Sequence, residues 1–170
     1  DDDRSAARAA EQRLIEAAVG GDRTAMDTLL RSQYDRIFAV CRRITGSDAD
    51  ALDATQEALI AIVRGLPRFD GRSRFSTWAY RVATNACLDE LRRRRRRPVV
   101  GLPEHDGVPA DAADPGRGPA DQVADQLEVD AALADLPDDF RAAVVLRDLC
   151  QLDYAEIAEV LDGGEATARS

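Results

Sequence analysis

The chain has 170 residues, with 23 arginines and no lysine against 32 acidic residues, a net charge of −9. That length suits one ordinary domain or two small ones. No apolar run approaches the ~18 residues of a membrane span and no signal-like segment opens the chain, so a soluble, intracellular protein with no membrane insertion of its own is expected. Cys41, Cys87 and Cys150 lie far apart with no CxxC spacing, and His105 is the single histidine. This argues against a disulfide framework or a metal site, and no cofactor is expected.

The charge is unevenly spread. Residues 1–97 hold 19 arginines against 15 acids, whereas residues 98–170 hold 4 against 17. A locally basic surface therefore hides within an acidic chain, and two units joined by a linker are expected. In chain order, residues 9–19 read as a short first helix, broken by Gly20 and Gly21. Asp22 is placed to cap a long helix to about Thr45, with Met26, Leu30, Ile37, Cys41 and Ile44 at three- and four-residue spacing. Gly46 ends it. Ser47 caps a third helix, about Asp48 to Gly65, whose inward face reads as Leu52, Leu59, Ile62 and Val63, with Ile60 off the stripe. Pro67 stops that helix, and no segment of the chain alternates like a strand.

Residues 69–97 concentrate the unusual chemistry. Phe69, Phe75, Trp78 and Tyr80 fall within a dozen positions, at and before a helix expected from Ser76 to about Arg96, and six consecutive arginines, Arg92 to Arg97, close it. Rings stack on unpaired bases and guanidinium groups neutralise phosphates, so this combination suits nucleic acid. The plainer alternative takes Phe75, Trp78 and Val82 as core at helical spacing and the arginines as a solvated helix end.

From residue 98 to 121 the composition turns to proline, glycine, small residues and acids, as expected of a flexible acidic linker. Helical periodicity resumes at Val123, Leu127, Leu133 and Leu136. Pro137 then starts a helix through Phe140, Val144, Val145 and Leu149. Asp153 and Glu156 form a capping-box pattern opening a short helix that carries Ile157, Ala158 and Leu161. That helix is expected to end at Asp162–Gly163–Gly164, with another beginning at Glu165, the outline of a helix-turn-helix.

Three segments together, DATQEALIAIVRGL, FSTWAYRVATNACLDELRRRRRRP and LDYAEIAEVL, resemble the extracytoplasmic function (ECF) sigma factors, the two-domain group of the sigma-70 family. The resemblance covers nearly the whole chain apart from the linker and the first residues. It implies an all-α protein with a sigma region 2 domain over 1–97, a linker over 98–121 and a sigma region 4 domain over 122–170. It further implies an alternative sigma factor that brings core RNA polymerase to promoter DNA, melts the minus-ten element with its first domain, and is regulated by an anti-sigma factor.

Carried onto these positions, the resemblance implies polymerase contacts at Asp50, Asp53, Gln56, Glu57 and Ile60. It implies minus-ten contacts at Arg72, Ser73, Arg74, Phe75, Trp78, Tyr80 and Asn85, and duplex phosphate contacts at Arg92, Arg93, Arg94, Arg95 and Arg96. The acidic linker would thread the polymerase's RNA exit path. Thr167, Arg169 and Ser170 would belong to minus-thirty-five recognition, but Asp162, Gly163, Ala166 and Ala168 depart from the family pattern there. Residues 122–170 hold 3 arginines against 12 acids, a surface that repels DNA. A chain shortened within its recognition helix is the expectation that follows. The competing reading is a sigma-like helical module that docks a regulatory partner without reading promoters. An enzyme is disfavoured, because no nucleophile, base and orienting group stand in a recognisable constellation.

Overall fold

The computed structural model describes residues 2–97 and 119–167, and the linker with His105 lies outside them. Seven helices and no strand occur among the described residues: α1 (Asp2–Val19), α2 (Arg23–Thr45), α3 (Asp48–Gly65), α4 (Phe75–Arg96), α5 (Pro119–Ala134), α6 (Asp138–Asp148) and α7 (Tyr154–Thr167).

Local chemistry accounts for the boundaries. The carboxylate of Asp22 accepts from the backbone N–H groups of Thr24 and Ala25 at 2.9 and 3.1 Å, satisfying donors that the first turn of α2 leaves open. Gly46 ends α2 at φ 73°, a left-handed cap that costs glycine least, and its N–H returns to the Arg42 carbonyl. Ser47 caps α3 through the N–H of Asp50. A 3-10 turn over Leu66–Arg68, with Pro67 inside it, separates α3 from the loop before α4. In the second half, Asp153 and Glu156 exchange reciprocal bonds of 2.8 and 3.0 Å, the capping box read from the sequence.

Helices α1 to α4 form one bundle, in which α2, α3 and α4 all pack on one another and α1 lies along α2. Its centre is Ile37, Val40, Cys41, Ile44, Ile62, Leu66, Phe75 and Cys87, each 1% exposed or less. The inward face of α3 differs from the expected one. Ala51, Ala54, Thr55, Ala58 and Ile62 are buried, while Leu52 and Val63 are 53% and 40% exposed. Helix α3 is gripped by both α2 and α4, so small side chains occupy the contact and the larger ones turn outward.

The second unit differs from expectation at three points. Helix α5 opens at Pro119, inside the stretch read as linker. Phe140 and Val144 are 67% and 38% exposed, and Ala142, Val145 and Leu146 supply the buried face of α6 instead. Helix α7 runs unbroken through Gly163 and Gly164 to Thr167, where a turn was expected. Glycine disfavours a helix by about 1 kcal/mol but does not forbid it, and no large apolar residue stands at 163 to fold back onto the core and stop the helix.

The two units touch directly. Helix α6 packs on α2 and α4, and α7 on α4. Arg141 is the principal tie. Its guanidinium, 12% exposed, donates to the carbonyls of Leu133, Ile44, Leu136 and Ala134 at 2.7, 2.8, 3.0 and 3.2 Å. It thus closes the open end of α5 and reaches the last turn of α2.

Candidate nucleic-acid and polymerase interface

Helix α4 positions the candidate DNA residues, beginning with a cluster of three rings at its head. Phe69 meets Phe75 edge-on at 5.9 Å and Trp78 at 5.2 Å, and Phe75 lies 5.8 Å from Trp78. Phe75 is 1% exposed, which fits the core reading and leaves it no open face for direct contact with a base: it is the buried floor of the cluster. Trp78 is half-buried above it, with part of its ring in the cluster and part open to solvent. Gly65 makes room for it, since a Cβ there would stand 3.0 Å from Trp78 Cζ2.

Tyr80 also differs from its expected role. It is 7% exposed and buried against Leu146, Leu152, Ile157 and Val160 of the second unit, because it emerges on the side of α4 that α6 and α7 cover. Burial, and to a smaller degree the neighbouring Cys150, raises its phenol above the ordinary value. The loop before α4 keeps its expected residues at the surface. Arg72 and Arg74 are exposed and Ser73 half-buried, with Asp70 accepting from the Arg72 N–H at 3.1 Å and Gly71 at φ 71° making the turn.

Along α4, Trp78, Asn85 and Arg92 are spaced by seven residues, so a ring, an amide and a guanidinium share one stripe about 21 Å long. Asn85 Oδ1 is buried without a hydrogen-bond partner. The arginine block at the far end is largely neutralised. Arg92 pairs with Asp89 at 2.9 Å, Arg93 with the buried Glu90 at 2.8 Å, Arg94 with Asp50 and Arg95 with Asp138. Arg96 donates to the Arg92 carbonyl. Arg96 and Arg97 have no acidic partner among the described residues. The first four arginines are therefore held by carboxylates in this conformation, not free for phosphates; the Arg92–Asp89 pair is exposed on both sides and correspondingly weak, whereas Glu90, Asp50 and Asp138 are largely buried.

On α3, Asp53, Gln56, Glu57 and Ile60 are exposed at three- and four-residue spacing, with Leu52 and Val63 adding apolar surface beside them. Asp50 departs from this face, being half-buried and tied to Arg94. Glu57, Ile60, Arg64 and Arg68 form one wall of an open groove of about 450 Å³, and Trp78 and Val82 form the other. The groove joins the candidate polymerase face to the candidate DNA face. Arg64 and Arg68 add two cations to this wall that the motif alone does not single out, although they follow Glu57 and Ile60 at three- and four-residue steps. Thr167 is the last residue of α7, and Arg169 and Ser170 lie outside the described residues. No group of metal-binding side chains occurs among the described residues, and no described helix is long and apolar enough to cross a membrane.

Comparison with known proteins gives this arrangement a family. Residues 29–97 match the model of sigma-70 region 2, and residues 126–170 that of sigma-70 region 4. The chain is 39% identical to the ECF RNA polymerase sigma factor SigE of Mycolicibacterium smegmatis, across 88% of its own length and 59% of that protein's. It is 34% identical to the ECF RNA polymerase sigma factor SigM of Mycobacterium tuberculosis, across 92% and 76% of the two. With the RNA polymerase sigma-H factor of Pseudomonas aeruginosa it shares 33% identity across 94% and 86%. The fold is similar to that of CnrH in a structure titled "Structure of CnrH in complex with the cytosolic domain of CnrY", with a TM-score of 0.62 at 20% identity over 94% of this chain and 92% of that one. Two region models in the expected order, on helices that carry their motifs, place this chain among the ECF sigma factors, the alternative sigma factors of RNA polymerase, and it belongs to that family.

Proposed function

We propose that the chain docks on core RNA polymerase through the exposed α3 face of Asp53, Gln56, Glu57 and Ile60, and melts a minus-ten element along α4. The observation that carries this reading is the stripe of Trp78, Asn85 and Arg92. A half-buried ring braced from below by Phe75 and from the side by Phe69 can stack on an unpaired base, for roughly 1–3 kcal/mol. The Asn85 amide carries a donor and an acceptor for a base edge, its Oδ1 being buried in this conformation and awaiting a partner, and Arg92 to Arg97 can hold phosphates of the adjoining duplex. Arg72, Ser73 and Arg74 stand on the loop beside the ring cluster, as further contacts to the displaced strand. Phe75 serves as support, and Asp50 as the partner that aims Arg94.

The factor makes and breaks no covalent bond itself and works where the polymerase does, in the cytoplasm. A protein regulator of the anti-sigma kind is its third partner. The reading as a module that only docks a regulator is not favoured, since the relatives that span most of this chain are RNA polymerase sigma factors. Run-off transcription with purified core polymerase on a promoter library, combined with permanganate detection of melted DNA, tests the proposal. Trp78→Ala with Asn85→Ala lowers promoter melting at least tenfold while polymerase binding stays intact. Loss of polymerase binding with no separate melting defect would refute the division of labour between α3 and α4.

A further inference from the structure

Two of the three free cysteines meet at the centre of the first bundle. Cys41 of α2 and Cys87 of α4 are each 0% exposed, on helices that pack on one another, and their thiols are in hydrogen-bonding contact. Helix axes pack about 8–10 Å apart, with Cα atoms about 2.3 Å from each axis. Facing residues therefore bring their Cα atoms to about 5 Å, within the roughly 4.4–6.8 Å that a disulfide spans.

The two thiols are not equivalent. The hydrogen bond from Cys87 holds Cys41 below its ordinary 9.0 against the opposing effect of burial, and the nearby Thr55 hydroxyl, which has no other partner, adds to it. Burial pushes Cys87 well above 9.0. The thiolate is the reactive form, so Cys41 is the nucleophile and Cys87 the thiol held ready beside it. Cys150 is less buried, but its thiol is pushed up to about 12 and stays protonated at neutral pH. Thr55 on α3 and Thr84, one turn before Cys87 on α4, are 2% and 0% exposed, and neither Oγ1 has a hydrogen-bond partner. Buried hydroxyls left open in this way are uncommon, and here they offer a small polar molecule a foothold in an otherwise apolar core.

We infer that Cys41 and Cys87 are a redox pair, in which a small hydroperoxide oxidises Cys41 and Cys87 then closes a disulfide that staples α2 to α4. The Cys41 thiolate attacks one oxygen of hydrogen peroxide, the O–O bond breaks, and the departing hydroxide takes up a proton to become water, leaving a sulfenic acid. The Cys87 sulfur displaces that hydroxyl group, the S–O bond breaks as the S–S bond forms, and the Cys87 proton leaves with it as a second water. Two thiols and one peroxide become one disulfide and two waters. Neither thiol is at the surface, so the reaction follows transient opening of the bundle and is slow. The cross-link joins residues 46 positions apart, so it raises the stability of the first bundle by constraining the unfolded chain.

The test treats the unaltered full chain with hydrogen peroxide, alkylates it in denaturant and digests it with trypsin. The three free thiols fall to one. The peptides covering residues 37–42 and 82–92 are recovered as one species two hydrogens lighter than their sum, and dithiothreitol restores them. The urea midpoint followed by Trp78 fluorescence rises by about 1–2 M. Three thiols still free, a disulfide formed through Cys150, or loss of both thiols to sulfinic acid without the linked species would each overturn the pair.

Cys150→Ala keeps the pair intact and serves as a second chain, in which two thiols fall to none; persistence of either would count against the inference. The order of events is read with dimedone, which traps sulfenic acid. Cys87→Ala accumulates the adduct on Cys41, whereas Cys41→Ala leaves Cys87 nearly unlabelled. Equal or reversed labelling would overturn the assignment of Cys41 as the attacking thiol.

Discussion

Replacing Arg141 by alanine is the most direct probe of how the second unit is held. The guanidinium donates to four carbonyls, three of them at the end of α5 and one, Ile44, in the last turn of α2. A bond from a charged donor contributes about 1.5–3 kcal/mol. Truncation lets water reach carbonyls at helix ends, so about 1 kcal/mol per bond is the appropriate figure. The ion-pair contact to Asp138, at 3.9 Å, adds little. The expected loss is therefore about 3–4 kcal/mol, a large share of the 5–15 kcal/mol typical of a domain. Urea unfolding followed by far-UV circular dichroism should show the second unit melting first. Fluorescence of Trp78, the one tryptophan, which sits in the first bundle, should report a later transition. Arg141→Lys should recover only about a quarter of the loss, because one ammonium group cannot fork onto four acceptors. A destabilisation below about 0.5 kcal/mol for Arg141→Ala would refute the argument.

Further tests address pH, salt and the polymerase face. Burial pushes the Cys150 thiol up to about 12 from an ordinary 9.0, with Arg36 opposing the shift, and Tyr80 beside it is raised as well. Because the folded value is the higher one, the stability of the joint is intact below pH 9.0 and is lost as pH rises toward 12, at up to about 1.4 kcal/mol per pH unit. Cys150→Ala should flatten that dependence in urea midpoints measured from pH 8 to roughly 10.5, and an equally steep decline would show that the thiol is not its source. Arg96→Ala with Arg97→Ala should reduce the slope of log K against log salt for duplex binding by about 0.9 per lost phosphate contact, about 1.8 in all; an unchanged slope would remove these arginines from the backbone contacts. Gln56→Ala with Glu57→Ala should weaken core polymerase binding about tenfold, near 1.4 kcal/mol, in a titration that leaves the helical content of the chain unchanged. Equal affinity would dismiss the α3 docking face.

Elements whose cause is local were legible before any coordinates. Asp22, Gly46, Ser47 and the pair Asp153 and Glu156 mark their helix ends through bonds that span at most four residues, and such bonds are written in neighbouring residue types. Asp53, Gln56, Glu57 and Ile60 were named through a motif that resembles the sigma factors and are exposed on α3, whereas the alignment of Trp78, Asn85 and Arg92 along α4 was not read from the sequence. What escaped was orientation. Leucine and valine were assigned inward on α3 by hydropathy, but two flanking helices demanded alanine there. Phe75 and Tyr80 were grouped with Trp78 because they are close in sequence, although successive residues on a helix point about 100° apart.

The residue order by itself determined that this chain is helical, where most of its helices begin and end, and that its motifs follow those of a sigma factor, because periodicity, caps and motif spacing are properties of short segments. Only the tertiary structure decided which ring is floor and which is surface, and which carboxylate holds each arginine. Asp50 and Arg94 are 44 residues apart and Asp138 and Arg95 are 43 apart. Pairings over such distances are set by how helices pack, since burial and Coulomb attraction depend on position in space and not on separation along the chain.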